Sequence, residues 1–266
     1  MATVPASPAA PLADPSSLTA TLRAAGCVFA EDEASLILAT ARTAEEATAM
    51  VRARASGLPL EHVLGWAEFH GLRITVGPGV FVPRRRTEFL VDQALARAPG
   101  ARVVVDLCCG SGALGAALAV ALDGAEVHAA DIDPAAVRCA RRNLAAHGGH
   151  AHTGDLYAAL PAGLRGRIGI LTANVPYVPT AEVPLLPAEA RDHEPAVALD
   201  GGPDGLDVLR RVAAGAAEWL APGGCLLSET SARQAPAATA AFRQAGLAAH
   251  VAVSHEWDAH VVIGTR

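Results

Sequence analysis

Lysine is absent from this chain, and all 21 of its basic residues are arginine. Beside so much alanine, glycine and proline, the absence reads as codon bias in a GC-rich genome rather than as chemistry. Cysteine is scarce and poorly spaced. Cys27, Cys108, Cys109, Cys139 and Cys225 are odd in number and form no CxxC pair, which argues against a disulfide framework and against a zinc site. The ten histidines show no HExxH-type spacing, so no metal is expected. No apolar run reaches membrane-spanning length; the longest candidate, between Asp106 and Asp123, is interrupted by glycine and serine. The first residues lack the basic segment of a signal peptide. Residues 1–14 read as a flexible tail, and the expected location is the cytoplasm. A basic surplus is also missing. With 27 acidic against 21 basic residues the net charge is −6, so no direct nucleic-acid partner is expected.

What is present is a large apolar fraction, 52% against 18% charged, enough to bury a full core. Residues 15–66 carry helical spacing. Leu18 and Leu22 share one face; Ala34, Ile37 or Leu38, and Ala41 share the next. Thr43 and Glu46 form a capping box, and Gly57 with Pro59 ends that helix. Residues 67–84 turn to short alternating runs. Leu72, Ile74 and Val76, then Gly77, Pro78 and Gly79, then Val80, Phe81 and Val82 predict a hairpin that links two domains.

Residues 85–266 alternate strand and helix. Strands are expected at 102–107, 126–130, 168–173 and 224–228, with a short one before Gly154. Helices are expected at 113–122, 134–147, 206–220 and 234–245. Two closing strands at 248–254 and 260–264 flank Trp257 and Asp258. Such alternation means an α/β fold with a mostly parallel, Rossmann-like sheet. A strand hairpin at its end is unusual for a nucleotide-binding dehydrogenase and usual for a class I methyltransferase.

Asp106, Cys108, Cys109, Gly110, Ser111 and Gly112 lie where the first strand turns into the first helix, and Gly110, Gly112 and Gly115 spell GxGxxG. Alone this signal is shared by dinucleotide and S-adenosylmethionine sites. Asp131, 25 residues after Asp106, can accept hydrogen bonds from the two ribose hydroxyls of an adenosyl group. Asp133 fits helix capping better. Asp155 can accept from an adenine amine, and Leu156 can pack on its ring. The three arginines Arg84, Arg85 and Arg86 could meet an acidic partner, but for Arg85 and Arg86 a solvated loop is the favoured reading. Trp66, Trp219 and Trp257 read as packing residues.

The fourth strand ends in Ala173, Asn174, Val175, Pro176 and Tyr177. This resembles the N-P-P-Y motif of enzymes that methylate planar nitrogens. Through it the chain resembles the protein-(glutamine-N5) methyltransferase family, the HemK/PrmC-type enzymes that modify peptide-chain release factors. Pro59 to Gly65, Glu68-Phe69, Gly71-Leu72 and Pro78-Gly79-Val80 resemble the family's interdomain segment. Pro83-Arg84 with Thr87-Glu88 resembles its P-R-P-x-T-E loop. Glu194-Pro195, Ala198-Leu199, Gly201-Gly202 and Asp204-Gly205-Leu206 resemble the segment that follows its N-P-P-Y motif. The resemblance implies a class I methyltransferase fold with a seven-stranded sheet and a small N-terminal helical domain that recognises a protein substrate. It implies S-adenosyl-L-methionine as cofactor, held by Asp106, Cys108, Cys109, Gly110, Ser111, Gly112, Asp131, Asp155, Leu156 and Asn174, and catalysis by Asn174, Val175, Pro176 and Tyr177. Three departures stand out: Val175 replaces a proline, Cys108-Cys109 replace a glycine and a small polar residue, and Arg85-Arg86 replace a proline and a variable residue. An adenine-N6 methyltransferase and a non-catalytic cofactor-binding adaptor remain as alternatives.

Overall fold

A computed structural model describes residues 14–266. The chain forms two compact units, Met1–Gly65 and Trp66–Arg266. The tail expected over 1–14 lies, Asp14 apart, outside the described residues.

Among the described residues the first unit holds four helices: α1 (Pro15–Ala24), α2 (Ala30–Thr40), α3 (Ala44–Ala55) and α4 (Leu60–Leu64). Asp14 starts α1 by accepting from the Ser16 and Ser17 N–H groups, with Pro15 in the first turn. Leu18, Leu22, Ala34, Ile37, Ala47 and Val51 are buried, so Ile37 rather than Leu38 takes the core position. Thr43 caps α3 through the Glu46 N–H at 3.1 Å. The return bond of the expected box goes one residue further back, from the Arg42 N–H to Glu46 at 2.8 Å. Arg54 on α3 donates to Glu33 on α2 through Nε and Nη2 (2.6 and 3.1 Å) and to the Leu58 carbonyl. This bidentate pair fixes the two helices against each other.

The second unit opens with a hairpin of β1 (Trp66–Phe69) and β2 (Leu72–Thr75). Its turn is His70-Gly71, both at positive φ (50° and 72°), as a two-residue type I′ connection requires. This corrects the hairpin expected around Gly77–Gly79. Val80 and Val82 are buried but pair with no strand; the Val82 N–H instead donates to the Glu194 carboxylate at 3.1 Å. Alternation in sequence reported burial there, not sheet pairing.

Then come β3 (Val103–Leu107), β4 (Glu126–Asp131), β5 (His150–Thr153), β6 (Ile168–Ala173), β7 (Leu220–Thr230), β8 (Ala248–Ser254) and β9 (Ala259–Thr265). They form one sheet in the order β5-β4-β3-β6-β7-β9-β8. Pairs from β5 through β7 are parallel, while β9 runs antiparallel to both β7 and β8. The expected closing hairpin is therefore present. The helices are α5 (Glu88–Arg97), α6 (Ala113–Ala121), α7 (Pro134–Leu144), α8 (Ala188–His193), α9 (Asp207–Trp219) and α10 (Ala235–Gln244). Two apolar cores cover the two faces of the sheet. Val104, Ile170 and Leu227 join one with α5, α6 and α7. Val105, Leu171 and Leu226 join the other with α9 and α10. Both faces being covered, β3 is buried at every residue, Asp106 included, and valine rather than an apolar–polar alternation opens it. Strand order reverses between β3 and β6, and the carboxyl ends of β3, β4 and β6 meet at that switch point, where ligands bind in such sheets.

Candidate active site

After β3 the backbone takes positive φ at Cys108 (53°), Gly110 (52°) and Gly112 (77°). Gly112 has no alternative: a Cβ there would lie 2.9 Å from the Ala140 Cβ on α7. The left-handed turn is pinned to β4. The Cys109 N–H donates to the Ala130 carbonyl (3.1 Å), and the Gly110 N–H to Asp131 Oδ2 (2.9 Å). Asp131 Oδ1 accepts from the Asp133 N–H (2.9 Å), and Asp133 itself caps α7 through the Ala135 N–H. Asp131 is only partly covered. Each of its oxygens accepts one backbone bond and can accept another, so it fits paired hydroxyls. Burial holds its carboxyl above the usual range.

Asp106 is placed differently from the other expected cofactor residues. It is wholly buried. Its Oδ2 accepts from the Gly115 N–H (3.2 Å) and its Oδ1 from the Thr172 hydroxyl (2.9 Å). Burial pushes its pKa up to about 7. It holds the start of α6 beneath the glycine turn through the Gly115 N–H. Ser111 is buried too, and its carbonyl accepts from Asn143 Nδ2 (2.8 Å). Gly154 donates its N–H to the Asp131 carbonyl (2.9 Å), which brings Asp155 and Leu156 beside Asp131. Leu156 sits at φ 48°, half-buried against the α9 side of the core. Asp155 is paired with Arg211 of α9 at 2.5 Å.

At the end of β6, the Ala173 carbonyl accepts from the Ser228 hydroxyl on β7 (2.7 Å). The next residue, Asn174, has a buried side-chain oxygen with no hydrogen-bond partner. A buried acceptor left unpaired is expensive and calls for a ligand donor. Val175 is buried in the core with Leu171 and Ala173. Residues 176–178 are clamped from the far side. A Cβ at Gly201 would meet the Pro176 carbonyl at 2.5 Å, and one at Gly205 the Tyr177 carbonyl at 2.2 Å. Gln234 Nε2 donates to the Tyr177 carbonyl (2.8 Å). The glycines of the segment after Tyr177 are there because backbone meets backbone.

Arg84 donates to both oxygens of the buried Glu194 carboxylate (2.8 and 2.7 Å), joining the arginine loop to the same segment. Arg85 is exposed, its guanidinium 5.7 Å from the Trp257 ring centre. Arg86 is not the solvated loop charge expected. Its Nε donates to Glu229 Oε1 (2.8 Å) and its Nη2 to the Tyr177 hydroxyl oxygen. Tyr177 in turn donates to Glu229 Oε1 (3.3 Å), and the Thr87 hydroxyl to Glu229 Oε2 (2.5 Å). Burial, then the Glu229 charge, push the Tyr177 phenol up to about 12. Glu229, Asn143, Arg211 and Gln234 escaped the sequence reading. The one signal for Glu229 in the sequence is its place as an acidic residue directly after the apolar run 225–227 and Ser228.

This strand order, the glycine turn after its first parallel strand, a carboxylate at the end of the second and an unsatisfied amide oxygen at the end of the fourth define a class I S-adenosylmethionine-dependent methyltransferase. Comparison with known proteins agrees. Residues 71–177 match the family model described as a methyltransferase small domain. A methyltransferase structure from Pyrococcus furiosus superposes with a TM-score of 0.56 at 17% identity, covering 73% of this chain and 89% of that one, a likeness of fold. The release factor glutamine methyltransferase of Mycolicibacterium smegmatis is 40% identical over 244 residues, 83% of this chain and 86% of that protein. The enzyme of the same name from Geobacter sulfurreducens is 41% identical over 199 residues, 74% and 69% of the two chains. The chain belongs to the release factor glutamine methyltransferase family, and S-adenosylmethionine is its methyl donor. Among the described residues no helix is long and apolar enough to cross a membrane.

Proposed function

We propose that this chain methylates the side-chain amide nitrogen, N5, of a glutamine in a protein, the Gly-Gly-Gln glutamine of a peptide-chain release factor, in the cytoplasm. One observation carries the reading: the buried, unpartnered Asn174 oxygen at the end of β6, in a chain whose relatives bear that activity in their names. An amide nitrogen is a poor nucleophile because its lone pair is delocalised into the carbonyl. Two acceptors aimed at the NH2 group hold it in attack geometry and stabilise the positive charge that grows on nitrogen. The Asn174 side-chain oxygen is one acceptor, and the backbone carbonyl of Val175 is the other. Pro176 stiffens the turn, and Tyr177 packs on the flat amide.

On the cofactor side, Asp131 takes the ribose hydroxyls, and the backbone of Cys108, Cys109, Gly110, Ser111 and Gly112 admits the ligand closely. Asp155 and Leu156 face the adenine. Asp106 supports them by holding Gly115. When bound, S-adenosylmethionine supplies an electrophilic sulfonium methyl. These residues require no metal to bring the nitrogen to it. The test is transfer of labelled methyl to an intact release-factor domain, with mass spectrometry searching the Gly-Gly-Gln peptide for one added CH2. Label on an adenine-containing oligonucleotide and none on the protein would replace this reading with its nearest rival.

A further inference from the structure

Glu229 sits in an unusual position for a carboxylate. Its side chain is 4% exposed, yet it lies at the end of β7, next to the strand that delivers Asn174. The pleat puts the two residues on one face. Leu171, Ala173 and Val175 turn to the α9 side, as does Leu226, whereas Leu227 turns to the α5 side. Asn174 and Glu229 therefore share the α5 side, where α5 and its preceding turn bring Arg86 and Thr87. A buried ionised carboxylate needs several donors to persist. Glu229 takes three, from Arg86, Thr87 and Tyr177. Two of them also meet each other, because Arg86 donates to the Tyr177 hydroxyl oxygen. The hydroxyl is thus held as donor and as acceptor at once, which fixes the ring in rotation as well as in place.

We propose that Glu229 and Arg86 are positioning residues for methyl transfer, which lock Tyr177 as a rigid wall of the acceptor site beside Asn174. This rests on the reading that the acceptor is a glutamine amide. Neither residue touches the reacting nitrogen. Both act through the ring, which confines the amide plane so that the NH2 group meets the Asn174 oxygen and the Val175 carbonyl. A wall fixed beforehand does not have to be ordered at each turnover. The remaining faces of the guanidinium are open, Arg86 being 46% exposed. The charge it brings is balanced by Glu229, so it orients without adding net charge to the site.

The experiment is a double-mutant cycle in the full-length chain, read as methyl transfer to an intact release-factor domain. Arg86→Gln and Tyr177→Phe should each lower kcat about tenfold, with S-adenosylmethionine affinity changed less than about twofold. Combined, they should cost no more than the worse of the two, because both break the same anchor. Arg86→Lys should recover part of the loss by keeping the charge beside Glu229. Glu229→Gln should behave like Arg86→Gln if it folds; the other variants stand without it. Wild-type kcat in Arg86→Gln, or single effects that multiply in the double variant, would overturn the positioning role. So would a loss that appears only as a lower melting temperature. A wild-type chain that leaves the glutamine unlabelled while labelling another acceptor overturns the reading of the acceptor, and this inference with it.

Discussion

Only two asparagines occur in the whole chain, Asn143 and Asn174. The Asn174 oxygen is buried and unpaired. Asn174→Ala removes that acceptor while keeping the volume small, so turnover should fall a hundredfold or more, by analogy with deleting one oxyanion-hole group. Cofactor binding measured by calorimetry should change far less. Undiminished transfer by this variant would dismiss Asn174 as the amide acceptor. Asp106 makes a different kind of prediction. Its folded pKa of about 7 lies above that of an unfolded aspartate, about 3.9. The folded state therefore keeps a proton that the unfolded state has released. Stability from this group is complete below about pH 4 and is lost as pH rises to about 7. Asp106→Asn imitates the protonated form. The stability of the wild type relative to that variant should fall by about 2–4 kcal/mol between pH 4 and 8 in denaturant titrations. A constant difference across that range would mean Asp106 is ionised throughout. Asn174 and Asp131 were legible because motif and spacing put them at strand ends. The hub of Glu229, Arg86 and Tyr177 was not: its members lie 143 and 91 residues apart, and a pairing at that distance leaves no periodic trace.

At the scale of elements, the centre of the sheet was readable because β3 and β6 are buried nearly throughout and α7 opens with a proline behind a capping aspartate. β6 and β8 fall where expected, and α7 opens at Pro134 behind the Asp133 cap. β7 runs to Thr230, two residues beyond the expected end; Glu229 and Thr230 are polar yet buried, so their chemistry gives no sign that the strand continues. α5 was not anticipated. It buries Leu90, Val91 and Ala94, too short a stripe to announce itself beside a charged loop. The hairpin was expected at the wrong turn, and the residue that anchors the true one was missed. Asn143 on α7 accepts from the Thr75 N–H (2.9 Å), donates to the Thr75 carbonyl (2.9 Å) and donates to the Ser111 carbonyl (2.8 Å). One side chain thus ties β2 to the glycine turn. Asn143→Ala should destabilise the fold by about 2–3 kcal/mol, since it strips three bonds and leaves backbone groups unpaired. Urea titration measures this, and S-adenosylmethionine affinity should weaken in the same variant because the turn loses its brace. A destabilised variant with wild-type affinity would show that the turn holds its shape without Asn143.

At the scale of the molecule, the boundary between the compact units falls at Gly65/Trp66, in the stretch where helical spacing gives way to alternation. We assign chemistry to the second unit and recognition of the protein substrate to the first. The second unit contains the whole sheet, the glycine turn, Asp131, Asn174 and the Tyr177 hub. The first contributes none of these residues. A lone glutamine side chain does not need a helical domain, whereas an intact protein needs a surface to dock on. The first unit has Val28 and Phe29 exposed between α1 and α2. A chain starting at Trp66 keeps the hairpin, whose Phe69 and Ile74 are buried in the core of the second unit. A cut within β1 would remove pairing that this core requires. The truncated chain should give the circular dichroism of a folded α/β protein and bind S-adenosylmethionine within a few-fold of the full chain, with methyl transfer to an intact release factor reduced at least a hundredfold, a loss of about 3 kcal/mol in docking. A short Gly-Gly-Gln peptide, which has little to dock, should be methylated equally poorly by both chains. If the folded truncation modified the intact protein at the full rate, recognition would reside in the second unit, and the helical unit would need another role.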